Sequence, residues 1–400
     1  MKISYVTMQF PIPSETFVTR EVRALKKMGI NVSVYTLRPS HSDADQLSKE
    51  RDIEDIQVHD DVVGSVPSAV KWMILNPFKF LGLVYWIVRH SIGSPVDLLK
   101  SLLLIPRAIS IFQKICEEEP DIVHLYWGHY PAIVGRLLKE YNRTVKITTF
   151  IGAYDLQKRY GGTKDALSDS ERVFTMTSAN LKPLEAWFGV DKKKVSVIYQ
   201  AIDLEKVEKW TEGVCEEPMR IASVGRLVPE KRMDDVLHVF ASIQDRSGNS
   251  ELVILGDGPD KSRLKRICQE LDVNDKVAFL GHVSEARVFE EMARADVFLF
   301  MSDKPGERLP NVIKEAMICR CFCISSYTPG MEELIEDGQD GYLVDPGNLE
   351  KASRILRRYF ANRMSYQRIK DNARQKIRKQ FSLSEAARRY KREWEKVIEE

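Results

Sequence analysis

The sequence predicts an α/β protein of two successive domains, each a parallel sheet clothed in helices, and three observations carry that prediction. Its 400 residues, 44% of them hydrophobic, exceed what one core usually organises. It opens as a strand, an amphipathic helix and a second strand, a βαβ unit. A second α/β run then begins at Ile221, after a charged, poorly periodic stretch from Leu204 to Pro218 that reads as a linker.

In order, Lys2–Thr7 is the first strand, Thr16 to Met28 the first helix, ended by Gly29, and Asn31–Thr36 the second strand. Between strand and helix lies Pro11-Ile12-Pro13-Ser14-Glu15-Thr16-Phe17, where Ser14 can act as N-cap, its hydroxyl holding free amides. Residues 67–113 are a compositional outlier. Trp72, Phe78, Phe80, Tyr85 and Trp86 stand among aliphatics with Lys71, Lys79 and Arg89, and Asp97 is the only acid. The apolar run Phe80 to Val88 is too short for a bilayer, which needs about 20 residues. A segment lying on an anionic membrane fits this composition. So do helices packed into the first domain, and Trp and Tyr at a rim suit either arrangement.

Asp121–Tyr126 is the next buried strand, followed by Trp127-Gly128-His129-Tyr130-Pro131 and a helix through Leu138. Val145–Phe150 is a strand running into Ile151-Gly152-Ala153-Tyr154-Asp155. Val173–Ser178 and Val195–Asp203 complete the first run. In the second, a strand from Ile221 ends at Gly225, where a missing side chain lets the backbone approach a ligand. Arg226 and Lys231 offer a planar fork and a point charge for a diphosphate, or are surface cations. Leu252–Leu255 leads to the turn Gly256-Asp257-Gly258-Pro259, which suits nucleotide binding or an ordinary turn, and Val277–Val283 is a further strand.

Asp296–Met301 reads as a buried parallel strand, Gly306 as a turn and Pro310 as the first residue of a helix. Glu307 then sits on the loop and Glu315 on the second helical turn. Ligands of open α/β sheets bind at the carboxyl ends of strands, where helix N-termini present free N–H groups. An anionic group flanked by two hydroxyl-binding carboxylates is what a nucleotide sugar needs; two solvated surface charges are the plainer account of such a pair.

Net charge is +2, which gives no case for nucleic acid. Cys116, Cys215 and Cys268 are isolated, and none of the six cysteines suggests a disulfide framework. Cys319, Cys321 and Cys323 at the start of an apolar strand suit a packed core better than a metal or redox site. The first strand begins at Lys2, leaving no room for a signal peptide, so a cytoplasmic chain is expected, peripheral on the membrane face if residues 67–113 bind there. Leu349 to Glu400, rich in Arg, Lys and Glu at helical spacing, needs no more than a solvated helical face.

The order Glu307-x-Leu309-Pro310-x-x-x-x-Glu315-Ala316 resembles the Glu-x7-Glu signature of retaining glycosyltransferases with the GT-B fold, glycosyltransferase family four. The likeness continues through Thr328–Ile335 and Gly338–Val344. It is strong from Val224 to Val344 and looser before Asp203. The opening loop resembles Pro-x-x-Ser-Glu-Thr-Phe in the branch that builds exopolysaccharide and O-antigen chains. The resemblance implies two Rossmann-like domains facing a central cleft: 1–205 for the acceptor, 206–380 for a UDP- or GDP-sugar, and 381–400 as a helix crossing back to the first domain. Phe381, Tyr390 and Trp394 are consistent with that crossing.

The implied roles follow residue by residue. Glu307 contacts the transferred sugar near its reacting carbon, while Arg226 and Lys231 hold the phosphates and stabilise leaving-group charge. Glu315 binds the ribose. Gly225, Gly256, Arg308, Leu309, Asn311 and Val312 approach the donor's phosphates or sugar, and His282 and Val283 neighbour its base. Ser14, Glu15, Thr16, His129, Tyr154 and Asp155 fall on the acceptor side. With two phosphate cations and no Asp-x-Asp at a strand end, no metal or other cofactor is expected. The acceptor implied is a saccharide or lipid-linked saccharide.

The chain departs from the family at four points. Ile151 stands where many relatives have the histidine of His-Gly-x-Asp, with Asp155 one residue late. His129 is then a substitute on the preceding strand, or a structural histidine. Gln200-Ala201 replaces Asn-Gly, and Arg308 replaces Gly. These departures keep open a nucleotide-sugar-binding scaffold without turnover, and a nucleotide-sugar 2-epimerase of the same architecture is a second alternative, since it would also bind the donor.

Overall fold

The computed structural model describes all residues except 143, 211–217, 245–249 and 305, so Cys215 and the later part of the expected linker, 211–217, lie outside the described residues. The chain divides into two compact units, Met1–Tyr199 with Leu383–Glu400, and Gln200–Ser382. These borders differ by a few residues from the expected 205/206 and 380/381. Ile202 pairs with Ser382 in a parallel bridge and its amide donates to the Phe381 carbonyl at 2.9 Å, so both flanks belong to the second unit.

The first unit is a seven-stranded parallel sheet: β1 (Lys2–Thr7), β2 (Asn31–Thr36), β3 (Gln57–His59), β4 (Ile122–Tyr126), β5 (Lys146–Ile151), β6 (Arg172–Thr175) and β7 (Val195–Val197), in the order β3-β2-β1-β4-β5-β6-β7. β1, β4 and β5 are buried almost throughout, because parallel strands covered on both faces must be apolar on both. Ile3 sits opposite Val32 on one side and Ile122 on the other. From there the winding runs outward in both directions, opening a topological switch point between the carboxyl ends of β1 and β4.

The first helix, Thr16–Lys27, has Glu15 at its cap position, with no capping hydrogen bond from the side chain, which corrects the expected Ser14 cap. The Glu15 amide donates to the Ile12 carbonyl at 3.4 Å. That turn leaves Ser14 exposed, one position ahead of the cap.

Three helices, Ser65–Leu75, Pro77–Ser91 and Pro95–Glu118, occupy the outlier stretch. Their inner faces place Trp72, Leu83, Trp86, Ile87 and Ile105 in the core. Buried Arg107 ties the third to the sheet, its Nε donating to the Thr36 carbonyl at 2.8 Å and Nη1 to the Asp61 carbonyl at 2.9 Å. Their outer faces leave Ile74, Leu75, Phe78, Leu81 and Tyr85 exposed, Phe78 at 86%. Both expectations for this stretch concern the same helices: one face packs and the other meets solvent. No helix among the described residues is long and apolar enough to cross a membrane.

Helix Leu383–Glu399 belongs to this first unit. Trp394 is fully buried, in edge contact with His124 and Phe174, and its Nε1 donates to Thr148 Oγ1 at 3.3 Å. Beneath it, Tyr5 donates to Glu21 at 2.6 Å, and burial pushes the Glu21 carboxyl up to about 7.

The second unit is a six-stranded parallel sheet of β8 (Met219–Val224), β9 (Ser250–Leu255), β10 (Val277–Gly281), β11 (Val297–Phe300), β12 (Phe322–Ser326) and β13 (Tyr342–Val344). Its order, β10-β9-β8-β11-β12-β13, puts the switch point between β8 and β11. Part of the expected linker is instead the helix Leu204–Glu208, with Asp203 capping the Lys206 amide. Buried Val207 and the Glu208–Arg378 pair at 2.7 Å hold it down. Cys319, Cys321 and Cys323 are buried, and burial raises all three thiols.

Candidate functional site

At the β8–β11 switch point, four loops converge through backbone bonds. The Gly225 amide donates to the Leu255 carbonyl, the Leu227 amide to the Asp257 carbonyl at 2.9 Å, and the Gly256 amide to the Gly281 carbonyl at 2.8 Å. The closeness has a steric requirement: a Cβ on Gly256, whose φ is +131°, would meet the Gly225 carbonyl oxygen at 1.9 Å, and one on Gly258 the Leu227 oxygen at 2.3 Å. Only glycine fits both places. Arg226 projects from this platform into solvent, and beyond the turns lie exposed His282 and half-buried Val283.

The fourth loop, after β11, brings Glu307 to Lys231 with 2.5 Å between Nζ and Oε2, side chains 13% and 17% exposed for Lys and Glu. Lys231 also lies 5.1 Å from the centre of the Phe300 ring, and Ser302 Oγ donates to the Glu230 carbonyl at 3.1 Å. An ammonium and a carboxylate thus meet on an aromatic floor at the carboxyl edge of the sheet. Past Glu307 the backbone takes a left-handed turn at Leu309, φ +47°, a conformation costly outside glycine and concentrated at functional sites.

The helix that follows runs from Asn311 to Ile318 with Pro310 as its cap, one residue later than expected for Pro310 as its start. Glu315 is buried on its second turn. Asn311 and Val312 are the first helical residues, where amides have no intrahelical acceptor. Arg308 is turned aside: its Nη1 donates to the Pro329 carbonyl at 2.8 Å, and burial lowers its pKa. Lys314, unremarked in the sequence, is fully buried and donates to the Gln200 carbonyl at 2.7 Å and to Asn311 Oδ1 at 3.1 Å. It ties the helix start to the substituted Gln200-Ala201 segment.

In the first unit the β1–β4 switch point gathers Glu15, Trp127, His129 and Asp155. Glu15 is pushed up to about 7 by burial and by the Asp155 charge, against a Trp127 hydrogen bond and nearby His129. Trp127 has φ +86°, and its ring lies where a side chain at position 152 would be, 2.4 Å from a Cβ built on Gly152. Asp155 is fully buried. Its two oxygens accept from the Gly128 and Gly152 amides at 3.2 and 3.1 Å, and His129 Nδ1 lies 3.4 Å from Oδ1. Asp155 therefore fastens the two loops of the expected acceptor side together.

Of the other expected residues on this side, Ser14 is exposed and Thr16 half-buried at the helix start. Tyr154 is exposed, with the Lys158 ammonium 5.9 Å from its ring centre. Ile151 packs into a local core with Leu156 and Leu167. Sequence reading passed over Trp127 and Lys314. It had a signal for Asp97, the lone acid of the outlier stretch, which accepts from Tyr130 OH at 2.8 Å.

Comparison with known proteins agrees in both halves. Residues 14–206 match the family described as Glycosyltransferase Family 4 and residues 205–376 that described as Glycosyl transferases group 1. The amylovoran biosynthesis glycosyltransferase AmsK of Erwinia amylovora is 25% identical, with 96% of each chain covered. A Campylobacter jejuni enzyme named as an N-acetylgalactosamine-N,N'-diacetylbacillosaminyl-diphospho-undecaprenol 4-alpha-N-acetylgalactosaminyltransferase is 28% identical over 59% of this chain and 66% of its own. Among solved structures, Anabaena HepE in complex with UDP superposes with a TM-score of 0.72 at 15% identity, covering 99% of this chain and 100% of that one. That likeness establishes the GT-B fold.

Proposed function

We propose, from the premise that this chain belongs to glycosyltransferase family four and has the GT-B fold, that it moves a hexose from UDP- or GDP-sugar to a saccharide or lipid-linked saccharide acceptor in cell-surface polysaccharide biosynthesis, with retention of configuration. The observation that carries the reading is the Lys231–Glu307 pair at the β8–β11 switch point, beside Arg226 and the glycine platform.

A diphosphate laid on that platform meets Arg226, Lys231 and the amides of Asn311 and Val312. Lys231 then has two anions to serve, Glu307 and a phosphate. As the sugar–phosphate bond breaks, negative charge grows on the leaving oxygen, and fixed cations stabilise it without reorganising. Glu307, held by Lys231, accepts hydroxyls of the transferred sugar, and Glu315 accepts those of the ribose. The departing phosphate oxygen takes the acceptor's proton on the face it leaves. Two side-chain cations do the charge work, so the reaction runs without a metal.

AmsK and the undecaprenol-linked relative support a polysaccharide or lipid-linked acceptor. The exposed Ile74, Phe78, Leu81 and Tyr85, with Lys71, Lys79 and Arg89 also exposed, make a surface suited to the headgroup region of an anionic membrane. On this reading the enzyme works at the cytoplasmic membrane face.

The test is thermal unfolding against a panel of nucleotide sugars and free diphosphates, with Arg226→Ala and Glu315→Ala alongside. A ligand at a hundred times its Kd adds about 2.7 kcal/mol. Selective stabilisation by one base, lost in both variants, is expected. No response to any donor overturns the reading; donor consumption without an acceptor would point to an epimerase, and binding without turnover to a scaffold.

A further inference from the structure

The first unit contains a pocket of about 270 Å³ between the end of helix Pro77–Ser91, the start of helix Pro95–Glu118 and the loops following β4 and β5. Its wall is a cluster of three rings. His129 lies 5.3 Å from both Tyr130 and Tyr160, which are 5.5 Å from each other. Asp97 faces them, one oxygen accepting from Tyr130 OH at 2.8 Å and the other from Ser94 Oγ at 2.7 Å. His129 Nδ1 is buried, its Asp155 Oδ1 neighbour 3.4 Å away. The loop is seated by steric necessity: a Cβ on Gly161 would overlap the His90 carbonyl oxygen at 1.7 Å, and one on Gly162 the Trp86 ring at 2.7 Å.

Two further features indicate what the pocket takes. Lys158 and Arg159 line it and are exposed, and the Arg159 guanidinium is held 3.9 Å from the centre of the Trp187 ring. They are suited to a phosphate. The helix that turns Asp97 and Ser101 to the pocket also carries exposed Val96, Leu99 and Leu103, with Ile92 exposed just before it. Polar and apolar surfaces therefore adjoin within its first two turns, about 10 Å. The volume lies just under the ~300–1,000 Å³ usual for drug-sized ligands, enough for one ring and not for an oligosaccharide.

We propose that this pocket holds the polar head of an amphiphile: the phosphate-proximal sugar of a saccharide carried on a lipid diphosphate, ring against Tyr130 and Tyr160, phosphates at Lys158 and Arg159, hydrocarbon along Ile92, Val96, Leu99 and Leu103. The proposal rests on the transferase reading and specifies its acceptor side.

Calorimetric binding to the full chain tests it with three probes below micelle concentration: decyl diphosphate-linked N-acetylglucosamine, decyl diphosphate, and methyl N-acetylglucosaminide. The conjugate is expected to bind at least tenfold more tightly than either fragment. Lys158→Gln with Arg159→Gln should weaken it at least tenfold and leave the methyl glycoside unchanged; both side chains are exposed, so folding is spared. Tyr130→Phe, which releases Asp97, should weaken both sugar-bearing probes. Equal binding of conjugate and decyl diphosphate, or binding indifferent to all three substitutions, overturns the proposal. Nucleotide-sugar stabilisation of the same preparations separates the two failures: if it persists while the probes fail, only the pocket assignment falls.

Discussion

The two sheets have the same design at their switch points and opposite electrostatics. At the β8–β11 edge a carboxylate, Glu307, is matched by an ammonium at 2.5 Å. At the β1–β4 edge a carboxyl, Glu15, sits under Trp127 with Asp155 nearby and is pushed up to about 7. Topology decides where a ligand can be met; the side chains that fill the place decide what charge it meets. On the proposed reading, the first of these edges takes the donor's diphosphate. The other offers a carboxyl raised toward neutrality by burial beside the Trp127 ring, suited to hydroxyls.

The most severe way to break the comparison is to remove the cation from the charged edge. Lys231→Ala should lower kcat by roughly 10²–10³, the range for deleting one electrostatic stabiliser, and lower the unfolding midpoint as well, because Glu307 loses its partner in a mostly buried place. Steady-state rates on the donor identified by thermal shift decide this, and an unchanged kcat would remove Lys231 from the chemistry.

The Glu15 edge can be sharpened by pH. A carboxyl raised from 4.5 to about 7 in the fold holds its proton while the unfolded chain loses it. Its contribution is fully present below pH 4.5, is lost as pH rises to 7, and is flat above, about 1.4 kcal/mol per unit and ~3 kcal/mol in all. Glu15→Gln should therefore gain stability over the parent at pH 8 and differ little at pH 4, as read from denaturant midpoints. Glu21, raised similarly, keeps a parallel pH dependence in both proteins.

Next in size, Glu315→Ala should raise the donor Kd by roughly 10- to 100-fold, the value of hydrogen bonds to a charged group, about 1.5–3 kcal/mol, and leave acceptor affinity alone. The smallest effect on stability belongs to the outer helical face. Phe78→Ser with Tyr85→Ser should shift stability by no more than about 0.5 kcal/mol, because both side chains are exposed, while reducing flotation with anionic liposomes. Unchanged flotation would separate this face from any membrane role.

Much of the architecture was legible because strands buried on both faces are written as apolar runs, and because Gly225 and Gly256 mark strand ends; the strand from Val277, read through to Val283, stops at Gly281. The apolar run to Met301, the Gly306 turn and Pro310 likewise placed Glu307 on a loop and Glu315 on a helix. What could not be read were contacts made by topology: Lys231 and Glu307 are separated by 76 residues and meet because β8 and β11 are neighbours. Burial was equally hidden. Nothing around Asp155 in the sequence announced the two amides that donate to it. Ser14 had the right chemistry for a cap and lost the position to a turn at Ile12–Glu15. In the linker, charge obscured Val207, whose single apolar anchor suffices for a short helix.

The placement of Trp394 has a consequence for synthesis. The first unit cannot close its core over Tyr5, His124 and Phe174 until the segment carrying Trp394 and Tyr390 has emerged from the ribosome, by which time every residue of the second unit is already outside. Domains tend to fold as they appear. Here the half that is translated first is completed last, and its nascent sheet must wait, with an aromatic surface uncovered, through the translation of some 180 residues of its neighbour.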